Sequence, residues 1–171
     1  PEKTNIKLST KEAIGDLPVL EKNNLNEKYR SNPNNTYQSL MRKNINNDIP
    51  KNHNYTNHTD QTINIISMVP DGGSIKDLPE KYYKIRNYNT AFKRMNSKEP
   101  SITIDCGHRN YFHYSQNRVP TVREVARLQS FSDDFIFQGS KTSQYTQVGN
   151  AVPPLLAKII AKKIEEINDS L

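Results

Sequence analysis

The C-terminal third of the chain constrains the fold most, because its sequence predicts two helices with well-marked ends. Thr121 and Glu124 have the spacing of a capping box, in which the two side chains bond backbone amides at the start of a helix. A second helix is predicted from residues 153–154, where proline suits the first turn. Apolar residues then recur every three or four positions from Leu156 to Ile167, which gives a wide apolar face. The chain offers this face no evident partner.

The first of these two helices is predicted to be amphipathic. Val122, Val125 and Leu128 form an apolar stripe along it. Arg123 and Arg127 share the opposite face, four residues apart. On that face the two arginines are placed either to meet phosphate groups or to form salt bridges with another part of the protein.

Weaker signals predict further elements upstream. A short helix is predicted to start near Thr10, where a hydroxyl side chain can cap it, and to stop before Pro18. An apolar helical stretch begins near Thr59 and ends at the turn that follows Pro70. Residues 102–104, Ile-Thr-Ile, have the β-branched alternation that is typical of a strand.

Composition adds further constraints. Apolar residues make up 33% of the 171 residues and the mean hydropathy is −0.87, which indicates either a partner that covers apolar area or a loop-rich domain. Residues 21–51 are rich in asparagine and lysine and are expected to be mainly exposed loop. The net charge of +6 favours a polyanionic partner. A single cysteine and the lack of a long apolar run lead us to expect a cytoplasmic protein without membrane contacts.

Two long strings carry a family resemblance. Residues 118–139, RVPTVREVARLQSFSDDFIFQG, and residues 144–164, QYTQVGNAVPPLLAKIIAKKI, are similar in order and spacing to the last two conserved blocks of the cytosine-C5 DNA methyltransferases. Residues 69–79 and 94–104 resemble, more loosely, the target recognition domain of bacterial members. One departure is Ser132, which stands where the family usually has proline. The chain therefore resembles the C-terminal part of such an enzyme.

The resemblance implies an α+β fold. We expect a small mixed target recognition domain with irregular loops and short strands, followed by C-terminal helices that pack on a Rossmann-like catalytic domain. Residues 1–20 would connect to that catalytic domain, residues 21–117 would form the target recognition domain, and residues 118–171 would hold the closing conserved blocks. The implied partners are double-stranded DNA and an N-terminal catalytic domain or subunit, and the implied cofactor is S-adenosylmethionine.

Candidate site residues follow from the same resemblance. Asn150, Ala151 and Val152 would lie near the S-adenosylmethionine pocket, where Asn150 would bond the cofactor or cap the next helix. Gly149 would allow the backbone to lie close to a ligand or to enter the following helix tightly. The residues predicted to contact DNA are Arg42, Lys84, Arg86, Arg94, Arg118 and Arg123. For Arg118 and Arg123 a structural salt bridge is an equal alternative.

The chain lacks the family's catalytic motifs. It has no Pro-Cys dipeptide, no Glu-Asn-Val and no glycine-rich cofactor loop, so we expect no catalytic residue in it and no activity from it alone. Cys106 matches no catalytic block. The histidine and cysteine spacings do not match a zinc site, and no metal is expected. The alternative function is a non-catalytic DNA-binding module or a degenerate remnant of the enzyme.

Overall fold

Short helices joined by long irregular segments make up the computed structural model, which describes residues 7–22, 27–45, 48–83, 92–107 and 110–170. The helices of this part are α1 (Thr10–Ile14), α2 (Thr36–Met41), α3 (Asp60–Met68), α4 (Glu80–Tyr83), α5 (Val122–Leu128), α6 (Lys141–Asn150) and α7 (Pro154–Asn168). A 3₁₀ turn spans Ile75–Asp77, and the strands are β1 (Lys93–Arg94) and β2 (Tyr111–Phe112). The mixture of many helices with few strands agrees with the predicted α+β class.

Side-chain caps fix where several helices begin. Ser9 caps α1, and Glu12 completes a capping box with it, while the helix ends at Gly15. Thr59 caps α3 through its hydroxyl alone, and Thr121 forms the predicted capping box at the start of α5. The predicted starts of these three helices are confirmed, because each depends on a local bond between a side chain and a nearby amide.

The strand predicted at residues 102–104 is wrong. The two strands pair in parallel instead, with Lys93 opposite Tyr111 and Arg94 opposite Phe112. Since the backbone from 92 to 95 bonds to residues 110–112, the 102–104 segment has no strand partner there. Its Ile104 is buried and contributes to the core as a side chain alone.

The main core lies between α5, α6 and the strand region. Its buried members are Met95, Ile104, Tyr111, Val122, Val125, Ala126, Phe131, Phe137, Tyr145 and Val148. These residues come from both sides of position 117, where we predicted a domain boundary. That boundary therefore does not coincide with a gap between two hydrophobic cores.

Helix α5 is buried on every side rather than amphipathic. All residues from Val122 to Arg127 are buried, including both arginines of the face that we expected to be polar. The prediction failed because acidic side chains and carbonyl groups from distant segments surround that face and bond the guanidinium groups. The interior of this protein thus holds charged residues beside its apolar core.

Helix α7 is the opposite case, since none of its residues is buried. It begins at Pro154, as predicted, and the amide of Leu155 donates to the Ser130 hydroxyl at 3.1 Å. Its apolar face is half-exposed, with Ile160 at 47% and Ile164 at 55% exposure. Among the described helices, none has the length and apolar character needed to cross a membrane.

Candidate functional site

The predicted cofactor residues lie at the junction between α6 and α7. Gly149 and Asn150 are the last residues of α6. Ala151 then adopts an extended backbone and Val152 leads into Pro153, the residue before α7. Pro153 is the N-cap residue of α7 and Asn150 bonds none of the first amides of the helix, so the expected alternative of Asn150 as its cap is wrong.

Gly149 is required by a close contact between two pieces of backbone. A Cβ atom at this position would lie 2.6 Å from the carbonyl carbon of Asp105 and 2.6 Å from the amide nitrogen of Cys106. We expected the glycine to permit either close approach of a ligand or a tight entry to the following helix. In the structure it permits close approach of the protein's own loop.

Asn150 bonds this same loop and keeps free donors. Its side-chain Oδ1 lies 3.0 Å from the Sγ of Cys106, which donates its S–H. Within the described part of the chain, no protein acceptor bonds the Nδ2 group of Asn150, and the residue is exposed. Val152 is 58% exposed beside it. A site with amide donors and an exposed apolar side chain suits a ligand that carries both a carboxylate and apolar surface.

Asp105 shapes the loop that contacts α6. One oxygen of its carboxylate accepts from the amide of Gly107 at 2.8 Å, and the other accepts from the Asn110 side chain at 3.2 Å. Asn110 precedes Tyr111, whose ring is buried in the main core. The bonds of Asp105, together with the buried ring of Tyr111, therefore hold the loop in place against the core.

Arg94 has a structural role inside the fold and is not available to contact DNA. It is buried, and its guanidinium donates to the carbonyl oxygens of Val69 at 2.8 Å, Ile66 at 2.5 Å and His113 at 2.9 Å. These bonds tie the end of α3 to the segment that follows β2 and use the donors that a phosphate would need. The predicted DNA contact of Arg94 is therefore corrected.

Arg118 and Arg123 are also buried, and their guanidinium groups donate hydrogen bonds to protein acceptors. Arg118 forms two bonds to the carboxylate of Glu124, at 2.8 and 2.6 Å. Arg123 donates to the carbonyl oxygens of Lys51, Ser132 and Phe135. Of the two alternatives that the sequence left open for these arginines, the structural one holds, and the predicted contact with DNA is corrected.

Of the other predicted DNA contacts, Arg42 lies within the described residues. Arg42 lies with its guanidinium 3.8 Å from the centre of the Tyr29 ring and forms a 3.2 Å salt bridge to Asp16. Its side chain remains partly exposed, and its contact with DNA stays a prediction. Lys84 and Arg86 lie outside the described residues.

A buried ion network was missed by sequence reasoning. Arg127 bonds both oxygens of Asp133, at 2.8 and 2.6 Å, and reaches Asp16 at 2.5 Å. The Tyr29 hydroxyl also donates to Asp133. Asp16 lies 111 residues from Arg127 along the chain, and no local pattern signals such a pair.

Two buried histidines lie near Glu124. His113 accepts two backbone amide bonds at its Nδ1, and its Nε2 lies 3.5 Å from the Glu124 carboxylate. Burial lowers the pKa of His113 to about 3, and the Glu124 charge only partly opposes this. Burial also lowers the pKa of His53, which bonds the Thr121 hydroxyl and the Pro18 carbonyl.

Because these histidines are buried with lowered pKa values, we expect the chain to lose stability in mild acid. A histidine whose pKa falls from 6.5 to about 3 on folding stabilises the native state above pH 6.5 and loses that contribution as the pH falls toward 3. For His113 alone the free energy of unfolding should drop by about 2 kcal/mol between pH 6.5 and pH 5. Urea unfolding at the two pH values measures this drop.

The matched variant is His113→Asn, because the asparagine oxygen can accept the bonds that Nδ1 accepts. Its free energy of unfolding should change less between the two pH values, with His53 responsible for the remainder. An identical drop in the variant and the native chain would show that His113 does not carry the effect.

Known proteins resemble this chain along most of its length. The family profile described as C-5 cytosine-specific DNA methylase matches residues 1–166. The Type II methyltransferase M1.HphI of Haemophilus parahaemolyticus is 45% identical over 122 residues, which cover 71% of this chain and 33% of that protein. M.DdeI of Desulfomicrobium norvegicum, also a Type II methyltransferase, is 36% identical over 177 residues, covering 91% of this chain and 42% of that one. The chain thus spans less than half of these two relatives.

This chain covers most of one further relative, and it shares its fold with a solved structure. The Type II methyltransferase M.AquIB of a Picosynechococcus species is 34% identical over 128 residues, which cover 68% of this chain and 88% of that protein. A crystal structure from an Escherichia coli prophage, described as a DNA modification methyltransferase, superimposes with a TM-score of 0.72 at 20% identity. The superposition covers 95% of this chain and 47% of that one, and it shows a shared fold.

Proposed function

This chain belongs to the C-5 cytosine-specific DNA methylase family, and we propose from that premise that it is the DNA-recognising and pocket-completing part of a DNA (cytosine-5-)-methyltransferase. In the complete enzyme, S-adenosylmethionine supplies the methyl group that is added to carbon 5 of a cytosine in a specific duplex sequence. We expect this chain to choose the sequence and to complete the cofactor pocket, and we expect it to be inactive alone.

The observation that carries the proposal is the apolar face of α7. The face includes Leu156, Ile159, Ile160, Ile164 and Ile167, all of them half-exposed. Contiguous apolar surface of this kind is typical of an interface. The relatives M1.HphI and M.DdeI are longer than this chain by more than half of their own length, and their additional part would supply a surface for the helix. We therefore propose that α7 packs on a Rossmann-like catalytic domain or subunit.

The start of that helix supports the assignment of the cofactor residues. Asn150, Ala151 and Val152 come directly before α7, so the surface that covers the helix would also face these residues. The free amide donors of Asn150 fit the carboxylate of S-adenosylmethionine, and exposed Val152 fits its apolar surface. The residues present thus fit one wall of the pocket.

The assignment of the DNA-recognising region rests on charge and on the family. We propose that residues 21–117 form the target recognition region, that residues 1–20 connect it to the catalytic part, and that residues 118–171 close the enzyme. The net charge of +6 favours the DNA backbone. Arg42, Lys84 and Arg86 remain the proposed contacts, because Arg94, Arg118 and Arg123 are used inside the fold.

Aspartates on the apolar face of α7 test the proposed docking. The double variant Ile160→Asp with Ile164→Asp should leave this chain folded, since both side chains are half-exposed and neither belongs to a core cluster. In the complete enzyme it should weaken association with the catalytic part by about 100-fold or more and reduce methyl transfer accordingly. Size-exclusion chromatography and incorporation of labelled methyl groups measure the two effects.

The matched control is Lys158→Asp, which places the same new charge on the side of α7 away from the apolar face. We expect its association and activity to remain close to those of the native enzyme. Full activity of the double aspartate variant would contradict the proposed docking surface.

A further inference from the structure

The segment from Asp105 to Gly107, here called the 105–107 loop, lies directly against the proposed cofactor residues. Its backbone approaches Gly149 so closely that no side chain fits between them. The Sγ of Cys106 lies 3.0 Å from the Oδ1 of Asn150 and 3.9 Å from the carbonyl oxygen of Thr146. The last turn of α6 and the 105–107 loop therefore form one unit, although they are separated by about forty positions in the sequence.

The contact between Cys106 and Asn150 has a consequence for the direction of the amide. An asparagine side chain is planar and carries its acceptor and its two donors on opposite sides of one carbon. When the thiol donates to Oδ1, the Nδ2 group faces away from the loop. The donors are then held in one orientation before a ligand arrives, which reduces the entropy lost on binding.

A second observation concerns Tyr111, which lies close enough to Asp105 and Cys106 for their charges to act on its phenol. Tyr111 is buried at 2% exposure, and its hydroxyl is the one buried side-chain nitrogen or oxygen atom in the described part of the chain that lacks a hydrogen-bond partner. Burial raises the pKa of the Tyr111 phenol, and the neighbouring Asp105 carboxylate raises it further. A buried hydroxyl without a partner is costly and is usually satisfied by a ligand or a water molecule.

We propose that the 105–107 loop is a second wall of the cofactor pocket and that Cys106 is a positioning residue that holds the Asn150 amide toward an anionic group of the ligand. The anionic group is the carboxylate of the amino-acid part of the methyl donor. This inference rests on the proposed function, because it requires that Asn150 meets the cofactor. The thiol itself neither reacts nor touches the methyl group.

Substitutions at Cys106 test the proposal in the complete enzyme. Cys106→Ala removes the donor, and Cys106→Ser keeps a donor of similar size. Because one hydrogen bond is at stake, the alanine variant should bind S-adenosylhomocysteine about twofold to tenfold more weakly in calorimetry. The KM for S-adenosylmethionine should rise by a similar factor while kcat stays nearly unchanged, and the serine variant should restore both values.

Asn150→Ala, alone and combined with Cys106→Ala, completes the test. If Cys106 acts through Asn150, the double variant should be no weaker than Asn150→Ala alone. If Asn150→Ala weakens binding and neither cysteine variant does, the cofactor site stands and the role of Cys106 is overturned. Equal weakening by the alanine and serine variants would also overturn it, since the serine keeps the donor. If Asn150→Ala changes nothing, the cofactor site assigned to residues 150–152 fails together with this inference.

Discussion

Replacing Arg127 with alanine should destabilise the chain by about 3–5 kcal/mol, the range found when one partner of a buried ion pair is removed. Arg127 is fully buried and bonds the carboxylates of Asp16 and Asp133. Without it the two carboxylates stay in the interior with much less compensating charge, although Arg42 and Arg123 remain nearby. For a chain of this length the melting temperature should fall by roughly 10 °C or more.

The control for this variant is Arg30→Ala. Arg30 lies in the same region and its backbone amide bonds the carbonyl of Asp16, but the residue is exposed. Thermal unfolding followed by circular dichroism should show little change for it. Replacing Asp16 and Asp133 with asparagine in the Arg127→Ala background should recover part of the loss, because the uncompensated charges are then removed. A melting temperature within a few degrees of the native value for Arg127→Ala alone would contradict the buried network.

Gly149→Ala should disturb both the fold and the proposed cofactor site. The new Cβ would lie 2.6 Å from backbone atoms of Asp105 and Cys106, and backbone atoms cannot rotate away as a side-chain end can. Either the 105–107 loop or the end of α6 must shift, at a cost of about 1–3 kcal/mol. The shift separates Cys106 from Asn150, so affinity for S-adenosylhomocysteine should fall further than in Cys106→Ala.

Thr142→Ala on the same helix is the matched control, since Thr142 is exposed and lies two turns away. It should leave both the melting temperature and the cofactor affinity unchanged. Native stability and native affinity in Gly149→Ala would mean that the two backbones are not in contact, and the 105–107 loop would then not belong to the site.

Local chemistry made part of this fold predictable. The starts of α1, α3 and α5 depend on a hydroxyl side chain that bonds an amide three residues later, and that spacing is visible in the sequence. The start of α7 at Pro154 was visible for the same kind of reason. Such features need no knowledge of distant segments.

The parts that could not be predicted depend on distant partners. Arg123 and Arg127 have the spacing of a solvated helix face, yet the carboxylate of Asp16 and the carbonyl groups of other segments enclose them. Arg94 was predicted to contact DNA and instead bonds carbonyl groups at the end of α3. Residues 102–104 have strand-like composition, but the pairing edge was already taken by another segment.

The candidate site likewise combines residues that the sequence predicted with a contact between distant segments that it did not predict. The family strings pointed to Asn150 and its neighbours, and the structure places Asn150 and Val152 at an exposed position before an uncovered helix. Cys106 was dismissed because it matches no catalytic block. Its contact with Asn150 spans 44 positions and became visible only in three dimensions.

Transfer of labelled methyl groups shows whether this chain and a catalytic part together form a DNA (cytosine-5-)-methyltransferase. The chain, the catalytic part of the same enzyme and their mixture would each be incubated with tritiated S-adenosylmethionine and duplex DNA. We predict incorporation only in the mixture, as 5-methylcytosine within one short sequence. No incorporation in the mixture, or incorporation by this chain alone, would contradict the proposed function.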